Sequence, residues 1–120
     1  MANINRLKGK NRIQHTYNAG HQIFVYPFKM IWLQRDERDT KNSVYFSIWV
    51  GKRNIRKAVD RNMVKRRTRA AIQNYKTLIK DELQQSYDII LIYAGKNVMD
   101  FNPIEKSIYT LLNKLIRHSK

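Results

Sequence analysis

Two periods of apolar residues run along this chain, and they predict its strands and helices. From Val44 to Val50 every second residue is large and apolar, which is typical of a strand with one face in the core. Between 87 and 94 the residues are almost all apolar and rich in Ile, which favours a strand buried on both faces. From 104 to 116 apolar residues recur every three or four positions, as on the buried face of a helix.

The complete pattern predicts seven elements. They are a helix over 11–19, strands over 24–33 and 43–51, helices over 56–75 and 76–85, a strand over 87–94 and a last helix from 102. The polar residues 34–42 between the first two strands predict a hairpin loop. Two strands joined by a hairpin, with a third reached through a helix, indicate an α+β fold: a small mixed sheet with helices packed on one face.

Positions 52–69 carry the strongest concentration of charge. Nine of these eighteen residues are Lys or Arg and one, Asp60, is acidic, within a chain of formal net charge +15. On a helix, one side would carry Arg61, Asn62, Lys65, Arg66 and Arg69. Like charges one turn apart repel each other, so these cations do not stabilise their own helix. A solvated basic face is the simpler interpretation of an ordinary charge run, but this density favours binding to a polyanion.

Composition limits the class of protein. With 42% apolar residues, the 120-residue chain is expected to form one folded domain over 1–120 and not a disordered basic tail. The absence of cysteine excludes disulfides and thiolate chemistry, and it is consistent with the reducing cytoplasm, where we expect the protein. A pI near 10.3 indicates a nucleic-acid partner. An anionic membrane surface is disfavoured because the basic helix lacks a bulky apolar face.

Residues for catalysis are not apparent in the sequence. His15, His21 and His118 do not stand at metal-ligand spacing, and there is no Gly-rich phosphate loop. The acidic residues of the 34–42 loop alternate with cations, and we interpret them as solvated and not as a metal site. The sequence therefore predicts a binding protein without catalytic residues or a metal site of its own.

The segment from Lys57 to Arg69 resembles the signature helix of the protein subunit of bacterial ribonuclease P. That family carries an Arg-Asn-Arg motif followed by an apolar residue and Lys-Arg; here the triplet begins with Arg61-Asn62, and Met63 replaces the second Arg. The resemblance implies that a partner RNA cleaves the phosphodiester bond with Mg²⁺. The protein is then expected to bind that catalytic RNA and the 5′ leader of precursor tRNA. It also implies a left-handed βαβ crossover.

The resemblance also implies two sets of binding residues. Those expected to contact the catalytic RNA are Lys52, Arg53, Arg61, Asn62, Lys65, Arg66 and Arg69. Those expected to form a cleft for the single-stranded leader are Ile13, Tyr17, Phe28, Tyr45 and Trp49. For Tyr45 and Trp49 two interpretations stay open: they pack beneath a helix, or they form a platform on which unpaired bases stack.

Two other classes of protein share some of these features. A structural ribosomal protein would also be small, basic and non-catalytic, and the RNA that co-purifies would distinguish it. A DNA-binding regulator would place the basic helix in a major groove, but such proteins usually have a short turn between two helices. Here a strand precedes the basic helix, which disfavours the DNA-binding alternative.

Overall fold

The computed structural model describes residues 3–35, 43–83 and 85–119, and these ranges contain five strands and four helices. The strands are β1 (Asn3–Arg6), β2 (His21–Val25), β3 (Phe28–Gln34), β4 (Ser43–Val50) and β5 (Tyr87–Tyr93). The helices are α1 (Lys10–Ala19), α2 (Ala58–Asn74), α3 (Lys76–Glu82) and α4 (Phe101–Ser119). The predicted α+β class is confirmed.

All five strands form one mixed sheet in the order β1-β4-β5-β3-β2. The central strand, β5, runs parallel to β4 and antiparallel to β3. It takes the centre because its apolar run can be buried on both faces, as the sequence predicted. Since β4 and β5 are parallel neighbours joined through α2 and α3, they form a βαβ unit. The left-handedness of this crossover stays a prediction from the resemblance.

The N-terminal half of the sheet differs from the prediction in three ways. The single strand expected over 24–33 is an antiparallel pair, β2 and β3, with a turn at Tyr26-Pro27. The expected hairpin between β3 and β4 is wrong, because β5 lies between them. Strand β1 was not predicted; it adds a parallel edge strand beside β4. The 34–42 loop lies mostly outside the described residues.

The larger core lies on the sheet face covered by α2, α3 and α4. Helix α2 buries a stripe at i, i+4, i+7 and i+8, formed by Val64, Thr68, Ala71 and Ile72. The expectation that helices share one face holds for these three helices only. Helix α1 packs on the opposite face, over β3 and β5, where Leu7, Ile31 and Ile90 form a smaller core. The central strand therefore contributes to two separate cores.

A buried carboxylate joins α1 to the sheet. Asp88 of β5 is 3% exposed and accepts hydrogen bonds from Arg12 of α1 at 2.8 Å and from Arg35, just after β3, at 2.6 Å. The Arg35 guanidinium also lies 3.4 Å from the centroid of the Tyr45 ring on β4. A buried charge is tolerated only when it is paired and hydrogen-bonded, and both oxygens of Asp88 have cationic partners. This network links one helix to three strands.

Replacing Asp88→Asn tests the contribution of this network to stability. Two guanidinium groups would then face a neutral amide in a nearly dry site. We expect the free energy of unfolding to fall by about 2–4 kcal/mol, below the largest values for buried pairs because Arg12 is half-exposed. Urea denaturation monitored by circular dichroism measures the loss. The matched control is Asp81→Asn on the exposed surface of α3, expected to change stability by less than about 0.5 kcal/mol. Equal effects of the two variants would contradict this role for Asp88.

Candidate nucleic-acid interface

Helix α2 separates its buried stripe from a cationic surface. We call this surface the basic ridge; it consists of Arg61, Asn62, Lys65, Arg66 and Arg69. Asn62, Arg66 and Arg69 are exposed, whereas Arg61 and Lys65 are half-buried. The neighbouring Met63, which replaces a motif Arg, is also half-buried. One side of α2 packs on the core, and the basic ridge lies beside that side, from the half-buried Arg61 and Lys65 to the exposed Asn62, Arg66 and Arg69.

Carboxylates of the described residues do not neutralise the basic ridge. Both ion pairs found in residues 3–35, 43–83 and 85–119 are made by Asp88, and neither involves α2. Arg61 has a partly structural role, since it donates hydrogen bonds to the carbonyls of Ile55 at 3.0 Å and Arg56 at 2.8 Å. These bonds fasten the start of α2 to the preceding loop. Lys65, Arg66 and Arg69 take part in neither of these ion pairs, which leaves three cations and the neutral amide of Asn62 to contact an external anion.

Arg67, which lies outside the ridge, has a different environment. Its guanidinium donates a 2.6 Å hydrogen bond to the carbonyl of Met99, in the segment that precedes α4. It therefore ties α2 to a neighbouring loop.

The loop between β4 and α2 carries two more of the predicted cations, Lys52 and Arg53, and both are exposed. The loop is anchored by Asn54, which donates to the Tyr93 carbonyl at 3.4 Å and accepts a hydrogen bond from Lys96 at 2.8 Å. Burial raises the pKa of Tyr93, so its hydroxyl stays protonated and donates to the carbonyl of Asn97. The end of β5 thus supports the loop that presents Lys52 and Arg53.

A shallow cleft lies on the other face of the sheet, beside α1. It has a volume of about 540 Å³ and is lined in part by Ile13, Tyr17 and Trp49, three of the predicted cleft residues. The Tyr17 and Trp49 rings are stacked, with centroids 5.7 Å apart and planes inclined by 18°. The Trp49 indole N–H donates to the Ser47 hydroxyl at 2.8 Å, which orients the ring. Tyr17 is 44% exposed, so the aromatic pair is accessible to a ligand.

The two β4 aromatic residues have different surroundings. Tyr45 is half-buried and its ring is covered by Arg35, so it acts mainly as a packing surface. Trp49 lines the open cleft with Tyr17. The sheet face beside α1 is therefore partly covered and partly open.

The assignment of Phe28 to the leader cleft is wrong. Its side chain is completely buried in the larger core, on the face opposite α1, and packs edge-on against Tyr93 with centroids 5.6 Å apart. Side chains alternate along a strand, so Phe28, Met30 and Trp32 share that core while Ile31 faces α1. In the sequence, Phe28, Met30 and Trp32 alternate with Lys29, Ile31 and Leu33, but this alternation does not predict which face lies beneath α1.

Sequence reasoning also missed Arg12, Arg35 and Asp88 as a unit. They position α1, and hence Tyr17, over the sheet. One signal was available: Asp88 is the only charged residue in the apolar run 87–94, and a charge buried in such a strand needs a partner. The identity of its partners depends on the strand order, which the sequence pattern did not predict.

Metal-binding clusters and membrane-spanning helices are both absent from the described residues. No group of three His, Cys, Asp or Glu in these residues is arranged to hold a metal ion. Within the same residues, the helices are too short or too polar to cross a membrane.

Comparisons with known proteins agree with this fold. The family model described as ribonuclease P matches residues 1–116. The ribonuclease P protein component of Porphyromonas gingivalis is 29% identical over 114 residues, covering 92% of this chain and 82% of that protein. A Staphylococcus aureus RNase P protein mutant with defective mRNA degradation activity has a TM-score of 0.72 at 26% identity, covering 91% of this chain and 86% of that one. The RNase P protein from Thermotoga maritima shares the fold, with a TM-score of 0.73 at 19% identity. That match covers 91% of this chain and 96% of the Thermotoga protein.

These matches span nearly the whole sequence and include the basic helix, the sheet and α1. They confirm the resemblance first indicated by the residues from Lys57 to Arg69. On this basis the chain belongs to the ribonuclease P protein family.

Proposed function

We propose that this chain is the protein subunit of a ribonuclease P holoenzyme, binding both the catalytic RNA and the 5′ leader of precursor tRNA. It would assist endonucleolytic removal of the leader, which produces the mature 5′ end of tRNA. Membership of the family implies that this chain is a component of an RNA-containing enzyme complex. The specific partners are our proposal. The observation that carries it is the basic ridge, which has no carboxylate partner among the described residues. In this proposal, residues 1–120 form one cytoplasmic RNA-binding domain.

The basic ridge is suited to the phosphates of a folded RNA. Each cation that neutralises a phosphate releases condensed counterions, which makes binding favourable and strongly dependent on salt. Asn62 adds an amide group that can donate and accept hydrogen bonds among the cations. We assign the ridge, with Lys52 and Arg53 of the preceding loop, to the catalytic RNA.

The cleft beside α1 is suited to a single strand. Ile13 supplies apolar surface, Tyr17 and Trp49 supply aromatic rings, and Lys10 adds a cation at the same cleft. Unpaired bases stack on aromatic rings with little sequence preference, as a leader of variable sequence requires. We therefore assign Ile13, Tyr17 and Trp49 to the leader, with Tyr45 supporting Arg35.

In this proposal the chemistry belongs to the RNA. The Mg²⁺ expected in the holoenzyme would promote phosphodiester hydrolysis at the RNA, and the protein side chains bind and orient the two RNAs. A structural ribosomal RNA-binding protein is the alternative with the same charge. The RNA that co-purifies with the protein distinguishes the two.

Reconstitution tests the proposal directly. The chain is mixed with a bacterial ribonuclease P RNA at low Mg²⁺, and cleavage of a precursor tRNA is followed on gels. We expect a clear gain in cleavage over the RNA alone, because protein cations replace part of the screening that Mg²⁺ otherwise provides. The absence of any gain would overturn the assignment.

A double variant tests the basic ridge. Arg66→Ala with Arg69→Ala removes two exposed cations without disturbing the Arg61 contacts. We expect weaker binding to the catalytic RNA and a salt dependence, log K against log[salt], flatter by up to about two units. Lys106→Ala with Lys114→Ala is the matched control, since it removes two exposed cations from α4. Equal flattening in both variants would mean that net charge, and not this surface, determines binding.

Replacing Tyr17→Ala tests the leader cleft. Loss of one stacked base costs about 1–3 kcal/mol, so we expect affinity of the holoenzyme for precursor tRNA to fall roughly 5- to 150-fold. Affinity for the same tRNA without a leader should not change. Tyr109→Ala on α4 is a close control, because Tyr109 is 47% exposed and also packs on another ring, that of Tyr75. An equal loss with leaderless tRNA would argue against a leader contact.

A further inference from the structure

A second depression lies between α2 and the β1–β4 edge of the sheet, on the face opposite α1. Its volume is about 440 Å³, within the range of small-molecule sites. It is a cleft and not a flat surface patch, since two walls face each other across it. One wall is a stripe of α2 and the other is formed by the two strands.

The helical wall contains part of the basic ridge. Asn62, Lys65 and Arg69 line the pocket, at spacings of three and four residues that place them in one row along α2. Asn62 and Arg69 are exposed and Lys65 is half-buried. The row thus has two cations and one amide turned toward the strands.

The strand wall adds a third cation and apolar surface. The parallel register pairs Ile4 with Val44 and Arg6 with Phe46, so Ile4 and Arg6 share the face of β4 that lies toward α2. Arg6 is exposed, and Ile4 and Ile48 are half-buried. An exposed guanidinium therefore stands beside accessible aliphatic side chains.

Carboxylates are absent from the part of this pocket that the described residues form. None of the described residues that line it is Asp or Glu. The two ion pairs of the described residues, both at Asp88, do not include Arg6, Lys65 or Arg69. Three cations beside the half-buried Ile4 and Ile48 match a ligand with an anionic group joined to a flat body, such as a nucleotide. Bases that are unpaired in RNA can leave the stack and enter protein pockets, where their edges form hydrogen bonds.

We infer that this pocket holds one unpaired nucleotide of the partner RNA. Its base would lie against Ile4 and Ile48, its phosphate would contact Arg6, Lys65 and Arg69, and Asn62 would hydrogen-bond the base edge. The inference rests on the proposed function, and it adds insertion of a base to the phosphate contacts of the basic ridge. It also gives a binding role to β1.

Titration of the free protein tests the pocket without any assumption about the RNA. Adenosine monophosphate is added while backbone amide signals are followed by NMR, with ribose 5-phosphate and inorganic phosphate in parallel. We expect saturable shifts at residues 4–6, 48, 65 and 69, with adenosine monophosphate binding about tenfold more tightly than ribose 5-phosphate. Equal binding of inorganic phosphate would overturn base insertion, and so would shifts confined to Tyr17 and Trp49.

Replacing Ile48→Phe fills the pocket without changing its charge. We expect loss of the preference for adenosine monophosphate over phosphate, while Ile48→Val retains it. Thermal unfolding verifies that each variant is folded. Arg6→Gln is a second test, because Arg6 is exposed. This variant should weaken the binding of adenosine monophosphate and of phosphate together. Unchanged binding in a folded Ile48→Phe protein would overturn the inference.

The same variants separate this inference from the proposed function. With ribonuclease P RNA, Ile48→Phe should lower affinity about tenfold with an unchanged salt slope, because no phosphate contact is removed. If wild-type protein gives no gain in precursor tRNA cleavage but still binds adenosine monophosphate in this pocket, only the proposed function fails. If cleavage is stimulated and the mononucleotide titration fails, only the pocket assignment is overturned.

Discussion

The architecture depends on the burial of β5 on both faces. A strand that is apolar on both sides must occupy the centre of a sheet with cover above and below, and here β4 and β3 flank it. The cover is unequal: three helices pack on one face and α1 alone on the other. This inequality leaves part of the α1 face open beside Trp49, while α2 stands at the side of the sheet near β1.

The single charge within β5 determines how α1 is held. A lone buried carboxylate would be costly in this strand, but Asp88 receives one guanidinium from α1 and another from the segment after β3. Arg35 completes the arrangement by lying over Tyr45. The position of Tyr17 relative to Trp49 therefore depends on an electrostatic network as well as on apolar packing.

The cations of α2 lie on the other face of the sheet, where a different interaction stabilises the helix. Helix α2 gains its stability from the stripe that includes Val64 and Ile72, which allows the rest of its surface to carry mutually repelling cations. Some cations of the chain are used within the fold, as Arg67 is at the Met99 carbonyl. Those of the basic ridge have no carboxylate partner in the described residues, and in our proposal an RNA supplies the balancing charge.

The sequence by itself determined the local features: the buried central strand, the basic ridge on a helix, the two faces of β4 and the resemblance to the ribonuclease P family. These features follow from the periodicity and composition of single segments, in which the relevant neighbours of a residue are close to it in the chain. Only the tertiary structure decided that β5 separates β3 from β4, that Phe28 is buried away from α1, that Asp88 binds Arg12 and Arg35, and that β1 faces α2 across a pocket. Each of these depends on strand order and register between segments distant in sequence, and a pattern within one segment carries no information about which partner it will meet.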